Sequence, residues 1–157
     1  MVHHEKNVSL ITGLLLSLFI AHLAQAEPVV GITSGDTLTI LKDHKPLILR
    51  LAYIDAPVTR QPYYQASRKS LSMLCMNKNA VYEIIDSTAN QHIAIVKCNG
   101  INASYAQVKQ GYAWVNEKNF RDDELMTLQK QAKEKQSGLW KQKYSVPPSK
   151  FRGKALH

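Results

Sequence analysis

Two aspartates occupy positions in the sequence where their carboxylates could bind one metal ion. Asp36 follows the turn pair Ser34-Gly35 at the start of a β-rich run, and Asp55 ends the next such run. Since the two residues lie at the ends of neighbouring predicted strands, both carboxylates can face one hard cation, which prefers oxygen ligands. From these residues alone, however, the favoured interpretation is that each aspartate caps its own turn, a common role for aspartate at such positions.

The N-terminal segment has the pattern of a secretory signal peptide. The basic residue Lys6 precedes a mostly apolar run, Leu10 to Leu23, and the small-x-small triplet Ala24-Gln25-Ala26 follows that run. This order predicts a signal peptide over residues 1–26, cleavage after Ala26 and export to the periplasm or the medium. The apolar run is short for a membrane span, so an uncleaved anchor is the less favoured alternative.

Two cysteines, Cys75 and Cys98, remain after that cleavage. Two thiols without histidines at matching spacing cannot complete a zinc shell. An even pair in an exported protein favours a disulfide, and two free buried thiols are the alternative. Closing a loop of this length would stabilise the fold by roughly 3 kcal/mol, because it restricts the unfolded chain.

The charge of the chain suits a polyanionic partner. The net charge is +8, and removal of residues 1–26 takes away Glu5 and Lys6 together, so residues 27–157 also carry +8. Nucleic acid is the first partner that such a charge indicates, and an anionic envelope surface is the second. A basic protein without any polyanionic partner is the alternative.

The elements that must position the two aspartates follow from apolar periodicity and turn residues. The pattern predicts one α+β domain over residues 27–157, a five-stranded barrel of the oligonucleotide/oligosaccharide-binding type with three helices. The predicted strands are Val29–Ile32, Thr37–Leu41, Leu47–Ile54, Ala80–Ile85 and Ile93–Val96. The predicted helices are Tyr64–Leu74, Ala103–Lys109 and one capped by Asp122 or Asp123 and stopped by Gly138. From about residue 141 we expect a basic tail, extended after Pro147-Pro148.

Four motifs stand in a fixed order along these elements. They are Ser34–Thr37, Arg50–Pro57, Lys109–Trp114 and the segment from Ala132 to the Gly-Leu-Trp at 138–140. With this order and spacing the chain resembles the staphylococcal nuclease (thermonuclease-like) family from about residue 30 to residue 140. The later Pro147-Pro148 and Phe151-Arg152 are similar to the exported bacterial branch of that family.

The resemblance implies phosphodiester cleavage with a calcium ion, an activated water molecule and two arginines. Asp36 and Asp55 correspond to the family's metal ligands, and the Ala56 carbonyl could add a third oxygen. Arg50 corresponds to one of the phosphate-binding arginines, since a guanidinium can contact a phosphate through two donors. Calcium binding is expected to be weak, because these ligands fill only part of a calcium shell.

Two catalytic positions depart from the family pattern. Val58 stands where the family has a glutamate that activates or positions the attacking water, and Gln91 stands where the family has its second arginine. Loss of a general base typically costs about 10²–10⁴-fold in rate. Loss of a main electrostatic stabiliser costs on the order of 10²–10³-fold. Arg60 and His92 are the candidates that could compensate by binding phosphate or moving protons.

We therefore expect an exported protein that binds DNA, RNA or a related phosphate polymer. The two departures predict that its hydrolysis is weak or lost. The first alternative is an active calcium-dependent endonuclease with rearranged catalytic groups. The second is an envelope module for protein or anionic-surface contact. The family's base-stacking tyrosines have no clear counterpart in the vicinity of Glu117 and Asn119, and this favours the second alternative over plain nucleic-acid binding.

Overall fold

A computed structural model describes residues 26–116, 118 and 122–154 of the chain. The strands are β1 (Ala26–Ser34), β2 (Thr37–Lys42), β3 (Lys45–Leu51), β4 (Ile54–Asp55), β5 (Asn79–Ser87), β6 (His92–Cys98), β7 (Ile101–Asn102) and β8 (Trp114–Val115). The helices are α1 (Tyr64–Cys75), α2 (Ala103–Lys109), α3 (Asp123–Glu134), α4 (Pro148–Lys154) and a 3-10 helix, Gly138–Lys141. The predicted signal peptide, apart from Ala26, lies outside the described residues, as do Glu117 and Asn119.

Five strands close into a barrel, which confirms the predicted α+β fold. They are hydrogen-bonded in the order β3-β2-β1-β5-β6, with antiparallel neighbours throughout. β3 then pairs with β6 in parallel, with Arg50 opposite Ile93, and this pairing closes the barrel. Alternate side chains of a strand point to one face, so β2 and β3 bury Leu38, Ile40, Leu49 and Leu51 inside the barrel.

The run predicted as one strand up to Ile54 is interrupted. β3 ends at Leu51, and Tyr53 adopts a left-handed backbone conformation with φ 66°. Ala52 N–H makes the last bond of the closing ladder, to the Ala94 carbonyl 2.9 Å away, and the left-handed Tyr53 then turns the chain. β4 then leaves the barrel and pairs with β8, which places Asp55 opposite Trp114.

The disulfide is confirmed, and it joins a helix to the barrel. Cys75, the last residue of α1, is bonded to Cys98 at the end of β6, with Cα atoms 5.3 Å apart. Both cysteines are fully buried in the core. The bond therefore attaches the C-terminal end of α1 to the same strand that closes the barrel.

Local capping explains the bounds of two further helices. α2 has the predicted bounds, and the Asn102 side chain accepts the first free N–H groups of the helix. The Asp122 side chain does the same for α3. The expected stop of α3 at Gly138 is wrong, because α3 ends at Glu134 and the chain reverses through Gln136, with φ 50°. Gly138 instead begins the 3-10 helix.

The extended tail and the count of three helices are also wrong. Residues 148–154 form a fourth α-helix, α4. Pro148 is its first residue, a position where the fixed φ of proline suits a helix and its missing N–H costs nothing. The N–H groups of Lys150 and Phe151 both donate to the Pro147 carbonyl and close the first turn.

Within the described residues, no helix has the length and apolar character needed to cross a membrane.

Candidate functional site

The turn between β1 and β2 holds Asp36 by several hydrogen bonds. Ser34 Oγ and Thr37 Oγ1 donate to Asp36 Oδ1 at 2.7 and 3.0 Å. Ala56 N–H donates to Asp36 Oδ2 at 2.9 Å, and Asp36 is only 7% exposed. The carboxylate therefore caps its own turn, as one interpretation of the sequence expected, and it also joins that turn to the segment after β4.

Helices α1 and α2 both contact the turn between β1 and β2. A Cβ atom on Gly35 would lie 1.7 Å from Ser67 Oγ in α1 and 3.0 Å from the Ala56 side chain, so only glycine fits there. From α2, the buried Gln107 side chain donates through Nε2 to the Gly35 carbonyl at 2.6 Å. The position of Asp36 therefore depends on packing against α1 and on a hydrogen bond from α2.

Arg50 connects the two aspartates. It lies on β3 directly opposite Thr37, the residue after Asp36. Its Nη2 atom donates to Asp55 Oδ1 and lies 3.7 Å from Asp36 Oδ2. Both carboxylates thus face one guanidinium nitrogen. The Arg50 side chain is 34% exposed, so part of its donor set still reaches solvent.

A groove of about 240 Å³ lies beside this cluster. Asp36 and Arg50 line it, together with Val58 and Gln91, the two catalytic positions that differ from the family pattern. Pro148 and Arg152 of α4 also line it. The remaining lining residues are Thr33, Ser34, Thr37, Ala56, Pro57, Thr59 and Tyr64.

The two proposed compensating residues lie outside that groove. Arg60 lines a wider depression of about 590 Å³ formed by residues 59–66, which shares Thr59 and Tyr64 with the groove. His92 lies on β6, where its Nδ1 atom is 2.7 Å from Ser87 Oγ on the neighbouring strand. Neither Arg60 nor His92 is among the residues that line the groove.

The residues present fit a hard cation in kind but only partly in number. One carboxylate oxygen of Asp36 and one of Asp55 face the same position, which the Nη2 atom of Arg50 occupies. Oxygen is the ligand that calcium prefers, and six to eight ligands are usual. In the described part of the chain, no cluster of three or more histidine, cysteine, aspartate or glutamate side chains could hold a metal ion. Water and ligand oxygens would have to supply the rest of the shell.

The sequence interpretation missed α4 as part of the site. Its signal was present in Phe151-Arg152, which was noted only as a motif of the exported branch. Phe151 lines a second, small cavity of about 130 Å³ with Gln61 and Trp114. The apolar residue of the pair thus faces the body of the protein, while Arg152 lines the groove.

Comparison with known proteins identifies the family of this chain. A sequence profile for the family described as Staphylococcal nuclease homologue matches residues 48–142. An uncharacterized endonuclease of Haemophilus influenzae is 36% identical over 149 residues, which cover 91% of this chain and 84% of the relative. Protein ParB of Escherichia coli is 31% identical over 153 residues, 88% and 86% of the two chains. An uncharacterized endonuclease of Escherichia coli is 30% identical over 122 residues, 76% and 80%. The chain therefore belongs to the staphylococcal nuclease homologue family.

Proposed function

We propose that this protein is exported and binds nucleic acid or a related phosphate polymer, which it hydrolyses slowly or not at all. The observation that carries the proposal is the composition of the groove, where Val58 and Gln91 stand beside Asp36 and Arg50. Export is supported by the signal-peptide pattern of residues 1–26 and by the Cys75–Cys98 disulfide, which is typical of oxidising compartments.

Binding rests on charge and on Arg50. A net charge of +8 attracts polyanions over long range. A guanidinium carries five N–H donors, and Arg50 is one-third exposed, so it can donate to Asp55, form an ion pair with Asp36 and still offer donors to a phosphate. Asp36 and Asp55 are the residues that would hold calcium, which when bound would add positive charge beside a phosphate oxygen.

Hydrolysis is disfavoured because the groove has no free base. Among its described lining residues, the ionisable ones are Asp36, Tyr64 and the two arginines. Asp36 already accepts three hydrogen bonds, and the Tyr64 hydroxyl donates to the Thr33 carbonyl at 3.0 Å. The aliphatic Val58 cannot position water. A missing base costs about 10²–10⁴-fold and a missing cation on the order of 10²–10³-fold, and such losses need not multiply.

A second candidate function is calcium-dependent endonuclease activity with rearranged groups. It is favoured by the names of the Haemophilus influenzae and Escherichia coli relatives, both called endonucleases. It is also favoured by the presence of a second arginine, Arg152, in the groove wall. The two functions differ in one measurable property, the rate of cleavage with calcium.

The test compares DNA binding and cleavage by residues 27–157. Plasmid and single-stranded DNA are incubated with calcium or with a chelator. We expect salt-dependent binding with little calcium-dependent cleavage by the native protein. Val58→Glu combined with Gln91→Arg should raise cleavage more than either change alone, because each restored group acts on the same transition state.

The control variant for added charge is Asn90→Arg, which places an arginine on the exposed neighbour of Gln91, outside the groove lining. It should leave cleavage unchanged. Brisk calcium-dependent cleavage by the native protein, abolished by Asp55→Ala, would contradict impaired hydrolysis and establish the second candidate. Absent or salt-insensitive DNA binding would contradict both and favour an envelope-interaction role.

A further inference from the structure

The helix α4 brings a charged side chain to the groove from the far end of the chain. Pro148 and Arg152 both line the groove, and residues four apart lie on the same face of a helix. Arg152 is exposed, so its guanidinium can meet a ligand without losing buried contacts. This face of α4 is therefore directed at the same space as Asp36 and Arg50.

The buried Gln61 side chain attaches the segment before α4 to the groove wall. Gln61, which is 6% exposed, accepts a hydrogen bond from Val58 N–H at 3.0 Å through Oε1. Through Nε2 it donates to the Val146 carbonyl at 2.6 Å, two residues before α4 begins. Phe151, next to Arg152, lines the small cavity with Gln61 and Trp114 on the other side. The location of Arg152 is thus set by contacts with the same segment that carries Val58.

The charge balance of the site gives Arg152 its importance. Arg50 is paired with Asp55 and lies near Asp36, so these three groups together carry one net negative charge. No ion pair among the described residues involves Arg152. Its positive charge brings the cluster to neutrality, and without it a phosphate would meet a net negative site. An unpaired guanidinium in this position is well suited to bidentate contact with a phosphate.

We propose that Arg152 is a phosphate-binding residue of the groove, so that α4 forms part of the ligand site. This inference rests on the proposed binding of nucleic acid and deepens it by assigning a second phosphate contact. The ligand lies between β3 and α4, with Arg50 on one side and Arg152 on the other. The C-terminal helix is accordingly a functional element of the site.

The first test measures binding of a 12-nucleotide single-stranded DNA to residues 27–157 at several salt concentrations. Arg152→Gln should weaken binding about tenfold at low salt, as expected for loss of a charge-assisted hydrogen bond. It should also reduce the slope of log affinity against log salt by about 0.7, the value for one phosphate contact on a single strand. Arg152→Lys should keep the slope but lose affinity, because an ammonium cannot make the bidentate contact.

The matched control is Lys150→Gln, which removes the same charge from an exposed position of the same helix outside the groove lining. It should change affinity less than about threefold, as expected for a screened surface charge. Equal effects of Arg152→Gln and Lys150→Gln, in proteins with equal melting temperatures, would overturn the inference and leave the proposed function intact.

The second test does not depend on nucleic acid. Inorganic pyrophosphate is titrated into the labelled protein while the Nε–Hε NMR signals of Arg50 and Arg152 are followed. Both signals should shift with the same dissociation constant. If pyrophosphate shifts the Arg152 signal but DNA does not bind, the proposed function fails and the phosphate site stands. If DNA binds and the Arg152 signal responds to neither ligand, the inference is wrong.

Discussion

Gln107 is the buried side chain through which α2 holds the turn that carries Asp36. Its Nε2 atom donates to the Gly35 carbonyl at 2.6 Å and to the Ser67 carbonyl at 3.0 Å, and Gln107 is fully buried. Methionine has nearly the same shape but no donor. The change Gln107→Met therefore removes these two hydrogen bonds while it preserves packing.

The expected change in unfolding free energy follows from the hydrogen bond that each of the two carbonyls would lose. The Gly35 carbonyl would face an apolar side chain, and an unsatisfied buried carbonyl costs about 1–3 kcal/mol. The Ser67 carbonyl loses less, because it lies within α1, where carbonyls accept bonds from the helix itself. The net loss is smaller than this sum, because Gln107 Oε1 is buried without a protein partner among the described residues, and methionine removes that unsatisfied oxygen. We expect a net loss of about 2 kcal/mol in the free energy of unfolding.

Urea unfolding followed by circular dichroism measures this loss, and the melting temperature should fall by roughly 5–10 °C. The control is Gln131→Met, at an exposed position of α3, which should change stability by less than about 0.5 kcal/mol. DNA affinity should also fall in Gln107→Met, because Asp36 follows Gly35 directly. Equal stability of the two variants would refute the view that this bond holds the turn in place.

Two further predictions concern contacts outside the groove. Tyr105 donates to Asp122 at 2.6 Å, and this hydrogen bond together with burial raises the pKa of Tyr105 to about 12. The stability from this raised pKa is complete below pH 10 and is lost as the pH rises to 12, so Tyr105→Phe should show a shallower loss of unfolding free energy over that window. Replacing Cys75 and Cys98 together by alanine should cost roughly 3 kcal/mol in urea unfolding, whereas an unchanged midpoint would contradict a stabilising disulfide.

Local signals account for the parts of the fold that the sequence predicted well. α2 has the predicted bounds because Asn102 caps its start and Gly111, with φ 75°, follows its end. The barrel strands follow from alternating apolar residues such as Leu38 and Ile40, which are fully buried. Both signals act over a few residues, so one sequence suffices to read them.

Contacts between distant residues account for the rest. α4 was predicted as an extended tail because Pro147-Pro148 and the basic residues after them resemble a solvated end. It is anchored by the bond between Gln61 and the Val146 carbonyl, which joins two distant parts of the chain. The presence of Arg152 in the groove depends on that anchor, so the Phe151-Arg152 motif alone does not place it there. For Asp36 the capping interpretation is confirmed, whereas its role as a metal ligand stays a prediction.

The parallel pairing of β3 with β6 also has a consequence for when the groove comes into existence during folding. This pairing joins residues 49–51 to residues 92–94, and the other barrel pairings are antiparallel. Contacts between distant segments form slowly, because the entropy of closing the loop must be overcome before they stabilise the chain. Arg50 lies within this pairing and Gln91 directly precedes it. The groove therefore forms in the same step that pairs the open edges of β3 and β6, and a chain halted before that step lacks the groove and keeps those edges open.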